Sequence, residues 1–273
     1  MMQILNMLSS RNELHGSSRP LSIACLGDSI THGCFETYIR GDGSWDCRYD
    51  AEAVYHARWR DKMLHLFPRV SMHIINAGIS GDNAPGGLQR LERDVLSFKP
   101  DFIMICYGLN DVMHGERNLF RYQQALEEIF ARIKEQNIPF LFIRPNMMNT
   151  EVDSSITDQG LKNMAGQASL LQCDVTKLSQ EAREKVLLDT YLQKSCPENY
   201  EIQSVMDFYM HEAACSCAKF GVPICDFYGL WKKLYYTGTD ITRFLSNYIN
   251  HPVPSMHDLL ADMLLQMVLS GTI

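Results

Sequence analysis

The sequence predicts a three-layer α/β/α sandwich built on a roughly five-stranded parallel sheet. Two observations carry that prediction. Short runs such as "SIACLG", "DFIMIC" and "IPFLFI" are apolar on consecutive residues, the pattern of strands buried on both faces of a parallel sheet. Segments with helical periodicity alternate with them, and right-handed crossovers then place helices on both sides. The chain has 273 residues, 46% of them apolar, ample for a large core.

The elements follow in order. Residues 1–20 read as a packed N-terminal arm or short helix. The first strand lies in "SIACLGDSITHG", Ser22 to Gly33. Next, "CFETYIRGDGSWDCRYD" reads as a polar, glycine-rich loop, followed by a helix over about 51–67 that Pro68 closes. "VSMHIINAGI" is the second strand, and "GDNAPGGLQRLERDVLSF" leads from a loop into a helix stopped by Lys99-Pro100. "DFIMICYG" is the third strand, "LFRYQQALEEIFARIKEQ" a helix, and "IPFLFIRP" the fourth strand. "VPICDFYGLW" holds the fifth strand and "HDLLADMLLQMVLS" the closing helix. A polar insertion of about 146–200 separates strands four and five. It contains the helical pattern "VTKLSQEAREKVLLDTYLQKS" and reads as a cap, since insertions at strand ends often build pockets. The whole is expected to be one domain over 1–273, with sheet order 2-1-3-4-5 as in flavodoxin-like folds.

Composition narrows the partners. The 25 basic and 32 acidic residues give a net charge of −7 without a basic block, so no nucleic acid is expected. No stretch approaches the ~20 apolar residues of a membrane span, and the N-terminus lacks the basic and long apolar regions of a signal peptide. The nine cysteines are scattered and odd in number, which fits a reducing, cytoplasmic compartment. Cys25, Cys106 and Cys225 lie in strand-like runs as small hydrophobes. Cys215 and Cys217 lack the partners of a zinc site, so no metal is expected. No residue pattern specifies an oligomeric state.

Chemistry concentrates after the first three strands. Gly27-Asp28-Ser29 follows the first, Asn76 to Asn83 the second, and Gly108-Leu109-Asn110-Asp111 the third. In an open parallel sheet these loops emerge at one edge, and with order 2-1-3 the first lies between the others. A serine hydroxyl becomes a nucleophile when a base takes its proton. The negative charge that acyl transfer places on oxygen needs donors already in position, which glycine N–H groups, an asparagine amide and the Ser29 N–H supply. His251, in a loop entering the last helix, is the candidate base. Asp28 reads as a cap, Asp111 as a supporting hydrogen-bond acceptor, and Asp226 as a helix cap. His32 is expected to point away from Ser29.

The blocks "GDSITHG", "NAGISGD", "GLND" and "NHPVPSMH" resemble, in order, the four blocks of the SGNH (GDSL-type) hydrolase family, and the last resembles its "NHP", deacetylase-like subgroup. The resemblance implies Ser29 as nucleophile, Gly81 and Asn110 as oxyanion-hole residues beside the Ser29 N–H, and His251 as general base. It implies a structural role for His257, no cofactor, and a small-molecule ester substrate. A short-chain ester or O-acetylated sugar is the first expectation; a long-acyl lipase, lysophospholipase or thioesterase is the alternative, and an inactive, esterase-derived binding module is a third reading. The "GxSxG" elbow of another serine-esterase fold is absent. One position departs from the pattern. Where many members carry an aspartate three residues before the histidine, this chain has Tyr248. A phenol is neutral at pH 7. The Tyr248 carbonyl is the expected substitute for the missing carboxylate, with Asn247 or Asn250, or loss of activity, as the other readings.

Overall fold

The computed structural model describes residues 3–13, 19–39, 45–149, 179 and 202–273. The helical pattern at 175–195 and nearly all of the expected cap lie outside the described residues.

The parallel sheet forms from the most apolar segments of the chain. In sequence order its strands are β1 (Leu21–Gly27), β4 (Met72–Gly78), β5 (Phe102–Cys106), β6 (Phe140–Arg144) and β7 (Ile224–Asp226). Their spatial order is β4-β1-β5-β6-β7, all parallel, which is the expected 2-1-3-4-5. The central strand β5 is buried at every residue, whereas the edge strand β4 exposes His73 and Asn76. Cys25, Cys106 and Cys225 are buried free thiols in these strands.

Helices cover both faces. On one side α3 (Tyr55–Leu66) packs on α8 (Pro254–Leu269), which also touches the N-terminal α1 (Gln3–Glu13). On the other, α5 (Leu119–Glu135) packs between α4 (Ala84–Asp94) and α6 (Ile202–Phe220). The turn chemistry fixes several starts. Asn83 caps α4, its side chain accepting the Gly86 N–H, with Pro85 in the first turn. Asp226 caps α7 (Phe227–Tyr236) by accepting the Gly229 N–H, as expected of it. Both are the side-chain oxygens that satisfy a helix's free first-turn amides.

Residues 34–50, expected to form a loop, instead hold an antiparallel pair, β2 (Cys34–Ile39) and β3 (Trp45–Tyr49). The glycines drew the reading toward a loop. Yet "CFETYI" and "WDCRY" mix β-branched and aromatic residues with polar ones on either side of a Gly-Asp-Gly signal, which is a hairpin composition. The helix expected at 51–67 begins only at Tyr55, after a turn.

A cavity of about 510 Å³ lined by Phe102, Pro139, Phe140 and Val222 opens at the N-terminal ends of β5 and β6. It lies at the opposite edge of the sheet from the loops that carry Ser29, Gly81 and Asn110.

Candidate active site

β1 ends at Gly27, and the chain turns at once into a single helical turn, α2 (Ser29–His32). Asp28 caps that turn by accepting the Ile30 N–H at 3.0 Å, and Gly33 closes it in the left-handed conformation at φ 93°. Ser29 is therefore held at the first position of α2, where backbone N–H groups have no partner within the helix. β4 approaches this turn closely: a Cβ on Gly78 would lie 2.2 Å from the His32 nitrogen, so only glycine fits.

His251 reaches Ser29 from the other end of the chain. Its Nε2 lies 3.0 Å from the Ser29 Oγ, and its Nδ1 lies 3.0 Å from the carbonyl oxygen of Phe35. A carbonyl only accepts, so Nδ1 carries the proton and Nε2 presents its lone pair to the serine. Both residues are nearly buried. Burial drives the His251 pKa down to about 4, opposed by the Phe35 hydrogen bond. The imidazole is thus neutral at pH 7, the form that accepts a proton.

The Tyr248 carbonyl does not hold the ring, contrary to expectation; it accepts from Asn149 Nδ2 at 3.0 Å. Tyr248 sits at φ 60°, a left-handed backbone that redirects the loop. The acceptor comes instead from β2, the strand that the loop reading missed. Asn247 and Asn250 orient the loop rather than the ring. Asn247 Oδ1 accepts the N–H groups of Ile249, Asn250 and His251 at 2.9–3.0 Å, and Asn247 Nδ2 donates to Asn250 Oδ1. Asn146 Nδ2 donates to the Asn250 carbonyl. The "PNMMN" run after β6 thus ties down the histidine loop, and its two asparagines at a strand end were the available signal.

Gly81 follows β4 at φ 81°, and a Cβ there would meet nothing within 4 Å. The backbone therefore borders open space in a conformation that favours glycine. Asn110 Nδ2 donates to the Asp82 carbonyl at 2.8 Å. That bond uses one of the amide's two hydrogens and fixes the orientation of the other. Asp82 is itself clamped by Tyr107 Oη at 2.9 Å and Arg90 Nε at 2.7 Å. Arg90, buried in α4, also donates to the carbonyls of Gly27 and Ala77. One guanidinium therefore ties together the ends of β1 and β4 and the loop beside Gly81. Its position in a polar helix pattern gave no sign of this.

Asp111 accepts the Ala84 N–H at 3.0 Å, the supporting role expected of it. Burial raises its pKa to about 8 and that of Asp28 to about 7. His257 Nδ1 accepts the N–H of Tyr55, the first residue of α3, at 3.1 Å, and its ring lies 4.9 Å from that of Phe35. Burial pushes its pKa down to about 3. His32 turns toward Ser80, with Nδ1 3.2 Å from the hydroxyl, and packs 4.5 Å from the Tyr49 ring. Among the described residues no group of three or more His, Cys, Asp or Glu could hold a metal ion, and no helix is long and apolar enough to cross a membrane.

Comparisons with known proteins bear on the family and on the fold. The family model described as "GDSL-like Lipase/Acylhydrolase family" matches residues 25–259. An acetylxylan esterase of Geobacillus stearothermophilus is 32% identical over 87 residues, 32% of this chain and 38% of that protein. The uncharacterized lipoprotein YqeF of Bacillus subtilis is 32% identical over 89 residues, 33% of this chain and 31% of that protein. These matches span well under half of either relative. Among solved structures, LAE5, an α/β hydrolase from the metagenome of Lake Arreo, covers 90% of this chain and 94% of its own at TM-score 0.60 and 17% identity. The Axe2 acetylxylan esterase of G. stearothermophilus covers 90% and 93% at TM-score 0.59 and 17% identity. At such identities the structural likeness speaks to the fold. The family model spans most of the chain and takes in Ser29, Gly81, Asn110 and His251, so the chain belongs to the GDSL-like lipase/acylhydrolase family.

Proposed function

We propose that this protein is a serine esterase that removes short acyl groups, foremost O-acetyl groups from a sugar, through an acyl-enzyme. The observation that carries the reading is the 3.0 Å contact between Ser29 Oγ and an Nε2 whose lone pair is fixed by the Phe35 carbonyl. Ser29 attacks the ester carbonyl as His251 takes its proton. The N–H groups of Ser29 and Gly81 and the amide of Asn110 receive the oxyanion. His251 returns the proton to the leaving alcohol, and water then cleaves the acyl-enzyme. The chemistry needs neither metal nor organic cofactor. The acetyl preference draws on the likeness to the acetylxylan esterase and on the deacetylase-like "NHP" block. The free thiols among the described residues fit a cytoplasmic setting.

The test is hydrolysis of p-nitrophenyl esters of increasing chain length and of acetylated xylo-oligosaccharides, with Ser29→Ala as control. The reading expects acetate turnover that fades with chain length and vanishes in the variant. Faster turnover of long chains would support a lipase or thioesterase instead. No Ser29-dependent turnover on any ester would support a binding module.

A further inference from the structure

The proposed mechanism leaves His32 unused, although it shares the single helical turn α2 with Ser29. Its ring is aimed at the loop after β4. The Ser80 N–H donates to His32 Nδ1 at 3.3 Å, and the Ser80 Oγ lies 3.2 Å from the same nitrogen. A backbone N–H only donates, so Nδ1 is unprotonated and accepts. Partial burial lowers the His32 pKa, which keeps the ring neutral at pH 7. From the other side, the Tyr49 hydroxyl at the end of β3 donates to Ser80 Oγ at 3.2 Å, and the Tyr49 and His32 rings lie 4.5 Å apart. The His32 carbonyl accepts from Asn76 Nδ2 at 3.2 Å, so the histidine is itself tied to β4.

These contacts grip a tight turn. The Asp82 N–H bonds to the Ile79 carbonyl at 3.1 Å, and the Ile79 N–H to the Gly27 carbonyl at 3.0 Å. Ser80 and Gly81 are thus the two central residues of a four-residue turn. Gly81 has φ 81°, a sign that Ser80 does not share, which is the type II form. Types I and II keep the same corners and differ in the central peptide, which rotates by roughly 150° about ψ of the first central residue. Here that peptide joins Ser80 to Gly81 and carries the Gly81 N–H. Glycine permits the type II form without enforcing it, so the direction of that N–H depends on what holds Ser80.

We propose that His32 and Tyr49 are positioning residues of the oxyanion hole: by holding Ser80 they keep the turn in its type II form and aim the Gly81 N–H at the developing oxyanion. Such a donor helps only when it is oriented before the charge forms. With the central peptide rotated, the Ser80 carbonyl, an acceptor, would swing toward the place the N–H had held. The nucleophile and the hole are thereby referenced to one turn, since α2 carries both Ser29 and His32. The hairpin of β2 and β3 serves both sides as well, placing the Phe35 carbonyl on His251 and the Tyr49 hydroxyl on Ser80.

The effect on turnover rests on the proposed esterase reading, whereas the hold on the turn does not. The test measures p-nitrophenyl acetate hydrolysis by the full chain and by His32→Ala, His32→Asn and Tyr49→Phe, with crystal structures of the unaltered chain and of His32→Ala. His32→Ala should lower kcat roughly 10- to 100-fold, short of the loss of a deleted oxyanion donor, with KM little changed. His32→Asn places an amide oxygen near the position of Nδ1 and should recover most of kcat. Tyr49→Phe removes one hydroxyl and should cause a smaller fall, again in kcat; it stands in for His32→Ala if that variant fails to fold. In the His32→Ala structure the Ser80–Gly81 peptide should be rotated or present in two orientations. An intact type II turn in that variant, a loss confined to KM, or an Asn variant as slow as the Ala one would overturn the proposal. If the unaltered chain turns over no ester, the esterase reading fails, and the orientation of the Ser80–Gly81 peptide in the two structures still decides whether His32 holds the turn.

Discussion

The Nδ1 of His251 bonds to the backbone carbonyl of Phe35 at 3.0 Å, where many relatives are expected to use an aspartate. A carbonyl fixes the tautomer but contributes no full negative charge to stabilise an imidazolium. Burial then dominates, and the His251 pKa falls to about 4. The acid limb of a kcat/KM–pH profile should therefore lie well below the ordinary histidine value of about 6.5. An acid limb at or above pH 7 would mean that a carboxylate reaches the ring.

Asn247 should matter without touching any reacting atom, because its side-chain oxygen accepts three consecutive backbone N–H groups, ending at His251. Asn247→Ala leaves those donors unsatisfied and should cost ~1–3 kcal/mol in urea unfolding, with a lower kcat. Asn247→Asp keeps the acceptor and should recover most of the stability. Equal losses in both variants would contradict this role.

Removal of Arg90 should be among the most damaging single changes outside the dyad. Its guanidinium bonds to the carbonyls of Gly27 and Ala77, to Tyr107 and to the carboxylates of Asp82 and Asp94. Arg90→Met strands the Asp82 charge and should cost ~3–5 kcal/mol. Arg90→Lys cannot reproduce the planar fork and should recover only part of it. Denaturant midpoints for the two variants check both statements.

Stability should peak near pH 6.5. Three buried histidines, His56, His251 and His257, have pKa values lowered to about 4, 4 and 3. As pH falls below 6.5 the unfolded chain takes up protons that the folded one resists, so their contribution is lost down to the folded values. Asp28 and Asp111, raised to about 7 and 8, act with the opposite sign. The folded chain holds their protons above the ordinary carboxylate value, and that contribution is lost as pH rises through the folded values. Between about pH 4 and 6.5 the three histidines outweigh the two carboxyls; above 6.5 only the carboxyls remain. Asp28→Asn should flatten the alkaline decline in thermal unfolding across pH 5–9, and an unchanged decline would contradict the assignment.

The order of the sheet was legible because β1, β5 and β6 are nearly unbroken apolar runs, with only the edge strand β4 interrupted by His73 and Asn76, and the loops after the first three strands follow from parallel topology. Ser29 and Asn110 were legible for the same reason, each following a strand end by a few residues, whereas Gly81 was singled out from its neighbours by its sequence block. His251 came through its sequence block. What orients it was not legible, since a backbone carbonyl has no residue signature. Phe35 reaches the site only because a segment read as loop pairs into β2 and β3. Asn247, Asn146 and Asn149 act through contacts about 100 residues apart or within an irregular turn, which no periodicity encodes. Arg90 carries no sequence signal of its role: it lies on the amphipathic α4, and only the crossing of α4 over the ends of β1 and β4 buries it.

Fluorophosphonate labelling followed by mass spectrometry reads out directly whether His251 activates Ser29. The intact protein should take up one label, on Ser29, and His251→Ala should label slower by roughly a hundredfold or more, the ordinary contribution of a general base. Labelling at equal rates in the two proteins, or no label on Ser29, would mean that His251 is not its base.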